Sequence, residues 1–229
     1  DFPLADAIAD GVSSGDARRI AGVLREIARL YPAGAIDAPF LTNHDMKRVA
    51  TLHGNRRDRL GSAVAVLLTL PGAPFLYYGE EIGMQNGPGQ DDKFKRTPMA
   101  WTGGKGGGFT TGEPWFEFAP GRERANVATE RKESGSLLRR YISLIRLRRE
   151  SPALRKGAVS LLTSEESPSP VLAFLRAAGD ERVLVAHNLS DRPVTAGPFA
   201  IAGNAFRPLF TDGGVGAPST RGDAVTVRL

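Results

Sequence analysis

The spacing of apolar residues changes near residue 155, and this change constrains the fold more than any other feature of the sequence. Before that point apolar residues recur at intervals of three and four, which is typical of helices buried on one face. After it, short apolar segments are separated by clusters of Gly, Pro, Asp and Ser, which is typical of antiparallel sheets. We therefore predict an α/β domain over residues 1–154 and an all-β domain over residues 155–229.

Three amphipathic helices are predicted in the first domain. They cover Asp16 to Leu30, Arg57 to Leu70 and Ser136 to Arg149, and Ser13 or Ser14 is the expected cap of the first. The arginines of these helices, including Arg148, are interpreted as solvated outer faces.

Two short strands without alternation, residues 38–42 and 73–78, lie between the helices and are expected to be buried on both faces. Residues 1–4 are interpreted as the end of a third strand. Strands that alternate with helices form parallel sheets with right-handed crossovers. A Gly- and Pro-rich loop over residues 79–133 follows, and loops of that length inside a domain are usually functional.

The second domain is predicted to be an antiparallel β-sandwich. Its strands are expected in the segments AVSLLT at 158, VLAFLR at 171, RVLVAHN at 182, FRPLF at 206 and AVTVRL at 224.

Composition excludes several classes of function. The chain contains no cysteine, which excludes a disulfide framework and a thiolate metal site but leaves cytoplasmic, periplasmic and secreted locations open. The net charge of +5 is spread over helix faces and interrupted by acidic residues, so we expect no nucleic-acid partner. No apolar run is long enough to span a bilayer, so no membrane partner is expected.

Each of the two predicted parallel strands is succeeded by a cluster of polar residues. Asn43, His44 and Asp45 follow the first strand, and Glu80 and Glu81 follow the second. Ligands bind at the carboxyl ends of the strands in sheets of this kind, so we expect one polar rim there. A structural role is favoured for Glu80 and Glu81, because carboxylates in loops commonly cap turns or pair with arginines.

Other candidate residues have plainer interpretations. His53 and His187 have no clustered partner and are interpreted as a loop residue and a strand residue. Trp101 and Trp115 in the long loop are either platforms for stacking sugars or a small core of the loop, and the sequence does not separate these alternatives. The Gly run at 103–108 lacks the lysine and hydroxyl spacing of a phosphate-binding loop.

Several motifs together resemble the α-amylase family, glycoside hydrolase family 13. The segment FLTNHDMKRV is similar to the family's fourth conserved region, with its His-Asp after the seventh strand of a (β/α)8 TIM barrel. LPGAPFLYYGEEIGM resembles the eighth strand, and KRTPMAW and GFTTGEPW resemble segments of oligo-1,6-glucosidases, α-glucosidases and maltodextrin-acting amylases. The resemblance implies the C-terminal part of a barrel, about three βα units, followed by the family's sandwich domain.

The same resemblance implies roles for three residues. Asp45 would be the catalytic carboxylate that stabilises the transition state, His44 would bind the same sugar ring, and Arg48 would bind or orient the substrate. The resemblance implies an α-glucan or oligosaccharide substrate, no cofactor, and no metal site within this chain.

The family's nucleophile and acid/base motifs do not occur in the sequence. Retaining hydrolysis needs two carboxyl groups about 5–5.5 Å apart, so the chain is expected to be a fragment that is inactive alone. Its partners would be the missing N-terminal part of its own barrel and, through open barrel edges, other copies of itself.

Three alternatives remain open at the level of the sequence. They are a transglycosidase of the same family, a non-catalytic carbohydrate-binding protein, and a metal-dependent phosphoesterase, for which the three histidines are poorly spaced as ligands.

Overall fold

The described residues, which are 1–163, 169–201, 206–211, 216, 218–221 and 224–229 of a computed structural model, form seven helices and six strands. The helices are α1 (Phe2–Ser14), α2 (Arg18–Leu30), α3 (Val49–Leu52), α4 (Arg57–Thr69), α5 (Val127–Lys132), α6 (Leu137–Glu150) and α7 (Pro152–Lys156). The strands are β1 (Ala158–Leu161), β2 (Val171–Ala178), β3 (Glu181–Asn188), β4 (Thr195–Ala200), β5 (Ser219–Arg221) and β6 (Ala224–Arg228). Single 3₁₀ turns lie at Glu80–Ile82, Asp92–Lys95 and Lys105–Gly108.

The predicted strand at residues 1–4 is wrong, because these residues begin helix α1. The Asp1 carboxylate accepts a hydrogen bond from the Leu4 amide at 3.0 Å and caps the helix. Leu4, Ile8 and Val12 follow at intervals of four and are buried. Ser13 and Ser14 therefore both lie inside α1, and neither caps the next helix, which contradicts the prediction. Helix α2 has no side-chain cap at its N-cap residue, Ala17.

The three predicted helices are confirmed, and each begins and ends within two residues of its expected bounds. Their inward faces share one apolar core, because residues spaced by three and four lie on the same side of a helix. The buried residues of this core include Ile20, Leu24, Leu60, Val64, Leu67, Tyr141 and Leu144.

The two predicted parallel strands are reduced to a single parallel bridge between Phe40 and Phe75. The Phe75 amide donates to the Pro39 carbonyl at 2.8 Å, and the Ala73 amide donates to the Asp37 carbonyl at 2.8 Å. Pro39 and Pro74 have no N–H to add to the ladder. The direction of pairing is as predicted, but the extent is much smaller.

Burial on both faces is wrong for the second of these segments. Phe75 is 62% exposed and Leu76 is 43% exposed. Consecutive residues of an extended segment point to opposite faces, so both faces of this segment are uncovered. We define the strand-edge surface as the exposed apolar side chains of Phe2, Ile36, Phe75 and Leu76.

Gly72 sets the close approach of these two segments. Its backbone is left-handed, with φ of 94°, and a Cβ atom at this position would lie 2.5 Å from the Asp37 carbonyl oxygen. Only glycine adopts this conformation readily and leaves room for that carbonyl. The bond from the Ala73 amide to Asp37 therefore depends on glycine at position 72.

The C-terminal end of α4 is held by two buried arginines. Arg148 donates to the carbonyls of Leu68, Leu70 and Gly72 at 2.9, 2.7 and 2.6 Å. Arg176, on β2, donates to the Thr69 carbonyl at 2.7 Å, and burial together with the nearby Arg148 charge lowers its pKa to about 10. The prediction of Arg148 on a solvated face is wrong, because its guanidinium binds the carbonyls that the helix leaves unpaired.

The C-terminal residues form two antiparallel sheets. The strand order is β1-β2-β3 in the first sheet and β4-β6-β5 in the second. Four of the predicted strands are confirmed as β1, β2, β3 and β6. Residues 206–210 form no strand, which contradicts the prediction. Strands β4 and β5 were not predicted, and β4 has a register shift between Ala196 and Phe199.

Strand β2 is buried on both faces because each face packs on a different layer. Leu172 and Phe174 join the core of the helices. Val171 and Ala173 pack with Ala196 of the second sheet. His187, a strand residue as predicted, contacts Thr69 of α4 with Nε2 and Oγ1 2.9 Å apart. The described residues thus place the first sheet between the helices and the second sheet, while the complete sandwich and the boundary at residue 154 stay predictions.

Among the described residues, no helix has the length and apolar character needed to cross a bilayer.

We expect the chain to associate with itself through the strand-edge surface. Replacing Phe75 with lysine keeps its backbone bonds but puts a charge on an apolar edge, so the self-dissociation constant should rise by about tenfold or more. Sedimentation velocity over a range of protein concentrations measures this.

The matched control is Ile142→Lys, on the outer face of α6, where the side chain is also more than half exposed. Association should be unchanged in this variant. A wild-type chain that stays monomeric at high concentration would contradict the prediction.

Candidate functional site

The trio Asn43, His44 and Asp45 forms a turn directly after the Phe40 bridge. The Asn43 side-chain oxygen accepts a hydrogen bond from the Asp45 amide at 2.9 Å, which closes the turn locally. The side chains of His44 and Asp45 are 62% and 57% exposed. The turn thus presents an imidazole and a carboxylate to solvent, as the sequence predicts for a polar rim.

The long loop contacts this turn through two basic residues. Arg96 Nη2 donates to Asp45 Oδ1 at 2.8 Å, and Arg96 Nε donates to the His44 carbonyl at 3.1 Å. Lys95 Nζ donates to the Asp45 carbonyl at 2.9 Å. His44 Nε2 lies 3.4 Å from the other Asp45 oxygen. The Asp45 carboxylate is therefore flanked by a guanidinium and an imidazole.

Sequence reasoning missed Lys95 and Arg96 as site residues. Both lie in the motif KRTPMAW, which indicated the family but suggested no role for its first two residues. Asp92 accepts from Lys95 at 2.9 Å and from Arg96 at 3.2 Å, so the two cations are also oriented from within the loop. The acidic and basic residues at 91–96 are the signal that could have indicated such a cluster.

Arg48 lies beneath the rim and not on it. Its side chain is fully buried, and its guanidinium lies 4.6 Å from the ring centres of both Tyr77 and Tyr78. Nη1 donates to the Tyr78 carbonyl at 2.6 Å, and the Arg48 amide donates to the Asn86 side chain at 2.9 Å. Arg48 thus connects the turn to the segment after the second strand and has no exposed atoms to offer a ligand in this arrangement.

Glu80 is buried, and Glu81 is partly exposed. The Tyr141 hydroxyl donates to Glu80 Oε1 at 3.2 Å. Burial raises the pKa of Glu80 to about 8, even though the hydrogen bond from Tyr141 and the nearby Arg48 charge both lower it. Glu80 therefore has a structural position below the rim. Burial also raises the pKa of Glu81.

A cavity of about 430 Å³ adjoins this rim. It is lined by Tyr78, Glu81, Arg96, Thr97, Pro98, Met99, Trp101, Phe109 and Trp115. The small core of the loop is formed instead by Ile82, Met84, Met99, Ala100, Ala119 and Val127. Trp101 and Trp115 are not in that core, although the Trp115 ring packs on the Phe116 ring of the same loop, so both sequence alternatives for the two tryptophans stay predictions.

A larger cavity of about 730 Å³ lies elsewhere, where α1, the start of α4 and the segment after β3 meet. None of the three rim residues lines it. Among the described residues, no group of three His, Asp or Glu side chains is arranged to hold a metal ion.

The protein-family model of the α-amylase catalytic domain matches residues 17–157 of this chain. The chain belongs to the α-amylase family. The resemblance of the sequence motifs to this family is therefore confirmed.

Relatives of the family support the same assignment. Alpha-amylase 3 of Dictyoglomus thermophilum is 34% identical over 194 residues, which are 82% of this chain and 38% of that protein. Trehalose synthase/amylase TreS of Mycobacterium tuberculosis is 39% identical over 158 residues, which are 64% of this chain and 26% of that protein. The chain therefore spans less than half the length of these relatives.

A crystal structure of the α-amylase from H. orenii has a similar fold. It matches with a TM-score of 0.83 and 31% identity over 100% of this chain and 46% of that one. The chain is thus part of an α-amylase catalytic domain with its helices and following antiparallel sheets, and its relatives include enzymes of the glycosidase and transglycosylase types.

We expect Glu80→Gln to stabilise the fold at high pH. Between pH 4.5 and 8 the folded chain keeps a proton on Glu80 that the unfolded chain releases, so the unfolding free energy falls as pH rises through this interval. Glutamine removes this titration and still accepts from Tyr141. The unfolding free energy of the variant minus that of the wild type should be larger at pH 8 than at pH 5 by roughly 2–3 kcal/mol.

Urea denaturation at the two pH values measures the difference. Glu113→Gln is the control, because Glu113 is exposed and should give no pH-dependent gain. An equal effect of Glu80→Gln at both pH values would show that the Glu80 carboxyl titrates normally.

Proposed function

We propose that this chain forms part of the active site of an enzyme that acts on α-glucosidic bonds of starch-derived oligosaccharides. Asp45 would be the carboxylate that stabilises the transition state, and His44 would bind the same glucose ring. The observation that carries this proposal is the exposed Asp45 carboxylate, which lies between the His44 imidazole and the Arg96 guanidinium.

Such a group assists glycoside cleavage. The sugar ring flattens and gains positive charge as the bond to the leaving group breaks, so hydrogen bonds to its hydroxyls strengthen in the transition state. A carboxylate held in place by fixed neighbours stabilises that charge without reorganising during the reaction. The Asn43 turn and Arg96 orient Asp45 in this way.

Arg48 would act on the substrate through its neighbours. Its buried guanidinium contacts Tyr77 and Tyr78 and binds the Tyr78 carbonyl, so it fixes the segment that lines the cavity beside Asp45. We therefore assign Arg48 a positioning role, which is the narrower of the two roles that the family resemblance suggests.

Asp45 alone cannot carry out hydrolysis, since retaining enzymes need a nucleophile and a separate acid/base. Among the described residues near Asp45, the Asp92 carboxylate is already bound by Lys95 and Arg96. We propose that residues outside these 229 supply the nucleophile and the acid/base, and that the remaining barrel strands cover the strand-edge surface. The chain alone would then be inactive.

A transglycosidase of the same family remains the second candidate. A relative named trehalose synthase/amylase, 39% identical over 158 residues, favours this possibility. Both candidates share the same glycosyl chemistry and differ in the acceptor, water or a sugar hydroxyl.

The purified 229-residue chain should give no turnover of maltotriose, sucrose or a chromogenic α-glucoside, because it lacks the two carboxyl groups that act as nucleophile and acid/base. Product release measured over long incubations tests this. Turnover that disappears in the Asp45→Asn variant would contradict the proposal, since it would place the complete machinery within this chain.

Asp45→Asn should weaken binding of 1-deoxynojirimycin, a cationic sugar mimic, by about tenfold, because the amide removes the charge that attracts the cation. NMR titration of the chain measures the dissociation constant. The control is Asp91→Asn, because Asp91 also carries an exposed carboxylate in the long loop, where Lys93 lies 3.6 Å from it. Equal affinities of wild type and Asp45→Asn would refute the role of Asp45.

A further inference from the structure

We propose that the cavity of about 730 Å³ between the helices and the C-terminal sheets binds a phosphate monoester of a small polyol, such as a sugar phosphate. The end of α1, the first turns of α4, the turn after β3 and the end of β6 line this cavity. None of the three rim residues does, so the proposal is independent of the proposed function. The volume lies within the range of about 300–1,000 Å³ that is usual for small-molecule pockets.

Three arginines of this cavity are unpaired. They are Arg59 on α4, Arg192 after β3 and Arg228 on β6. Their guanidinium groups form no hydrogen bond or ion pair with any residue that the structure describes. Single exposed arginines without a partner are common on protein surfaces, but three that line one cavity repel each other. A bound anion removes this repulsion, and a concave surface concentrates the positive field that attracts it.

The acidic residues of the cavity do not cancel this charge. Arg56 Nε donates to Asp58 Oδ1 at 3.3 Å, and Arg56 Nη2 donates to Asp58 Oδ2, so this carboxylate already has its own cation. Asp191 is the remaining acidic side chain among the described residues of the lining. The lining side chains thus include four arginines and two aspartates, and an anionic group is the favoured ligand. Guanidinium groups bind phosphate oxygens through two parallel hydrogen bonds, which suits a phosphate best.

Serine hydroxyls beside these arginines are suited to the polyol part of the ligand. Ser14 Oγ donates to the Asp10 carbonyl at 2.8 Å, and Ser62 Oγ donates to the Asp58 carbonyl at 3.1 Å. Because both hydroxyl hydrogens are used, the serine oxygens can only accept further hydrogen bonds. Acceptors of this kind bind sugar hydroxyls and not a phosphate dianion. The cavity therefore offers donors for a phosphate and acceptors for a polyol.

The lining disfavours other small ligands. Among the described residues that line the cavity, none is aromatic. Nucleotide bases and the apolar faces of neutral sugars usually pack on aromatic rings. Inorganic phosphate, with five heavy atoms, would fill only a small part of this volume, since one water occupies about 30 Å³ in the liquid. A phosphate that carries a small polar group fits both the size and the lining.

The turn that carries Arg192 is fixed before any ligand binds. The Asn188 side-chain amide donates to the Arg192 carbonyl at 2.7 Å, and Asn188 Oδ1 accepts from the Ser190 amide at 3.0 Å. Leu229 and Val194 exchange two backbone hydrogen bonds of 2.8 and 2.9 Å, which joins the end of β6 to the same turn. Groups that are already in place lose less entropy when a ligand binds.

NMR titrations of the 229-residue chain test the proposal. The backbone amide signals of Gly15, Ser190 and Gly216 report on the cavity, and those of His44 and Asp45 report on the rim. The probes are glucose 6-phosphate, glucose, inorganic phosphate and ATP, each at the same ionic strength in chloride buffer. We expect glucose 6-phosphate to give saturable shifts of the cavity amides and to bind at least about fivefold more tightly than each of the other three probes.

Two arginine variants test the contacts to the phosphate. Arg59→Gln and Arg192→Gln should each raise the dissociation constant of glucose 6-phosphate at least about fivefold, because each removes a charge-assisted hydrogen bond. The matched control is Arg149→Gln, which removes an exposed guanidinium on α6 outside the cavity and should leave the affinity unchanged. Amide dispersion confirms that each variant is folded. Arg192 lies in an exposed turn, so its replacement should leave the fold intact.

Several results would overturn the proposal. Glucose 6-phosphate that gives no saturable shift of the cavity amides would show that the cavity is not a binding site. An equal loss of affinity in Arg149→Gln would show attraction to the overall charge of the chain. Inorganic phosphate, glucose or ATP that binds as tightly as glucose 6-phosphate would refute the assigned ligand class. The rim amides in the same spectra keep these outcomes separate from the role of Asp45.

Discussion

The position of the polar rim depends on the way buried guanidinium groups bind the carbonyls at the end of α4. A helix leaves its last carbonyls unpaired, and these carbonyls are costly to bury without a partner. Arg148 from α6 and Arg176 from β2 bind them from two sides, so one helix end joins the helical layer to the first sheet. The chain leaves this point through Pro71 and Gly72 into the segment that places Tyr78 and Glu81 at the cavity beside the rim and Glu80 in a buried position below it.

Bonds from an arginine guanidinium to a backbone carbonyl also occur at the rim and directly below it. Arg48 binds the Tyr78 carbonyl and Arg96 binds the His44 carbonyl, so each guanidinium connects segments that are distant in the sequence. Part of the net charge of +5 is therefore used inside the molecule. Arginine suits this use because its several donors reach more than one carbonyl at once, as Arg148 does with three.

Local patterns made the three main helices predictable, since the spacing of their apolar residues is independent of the rest of the fold. Helix α1 carried the same signal in Leu4, Ile8 and Val12, and Pro3 in its first turn is typical of a helix start, but residues 1–4 were interpreted as a strand. The lengths of the two short parallel strands were overestimated, because the number of residues that pair between two strands depends on the neighbouring strands of the sheet and not on the local sequence.

The position of Asn43, His44 and Asp45 was predictable, because these residues directly follow a predicted strand. Arg96 was not, because its contacts join residues that lie about fifty positions apart, and the buried Arg148 has backbone partners that leave no trace in the sequence.

The close approach at Gly72 has a consequence for how much change this region tolerates. The rim residues on the two segments are far apart along the chain, yet their separation in space is set where Asp37 and Gly72 touch. A single added methyl group there would push the two backbones apart and move Asp45 relative to Tyr78 without altering either side chain. Substitutions at Gly72 would thus change the geometry of the rim from a distance, although Gly72 itself lies outside the rim.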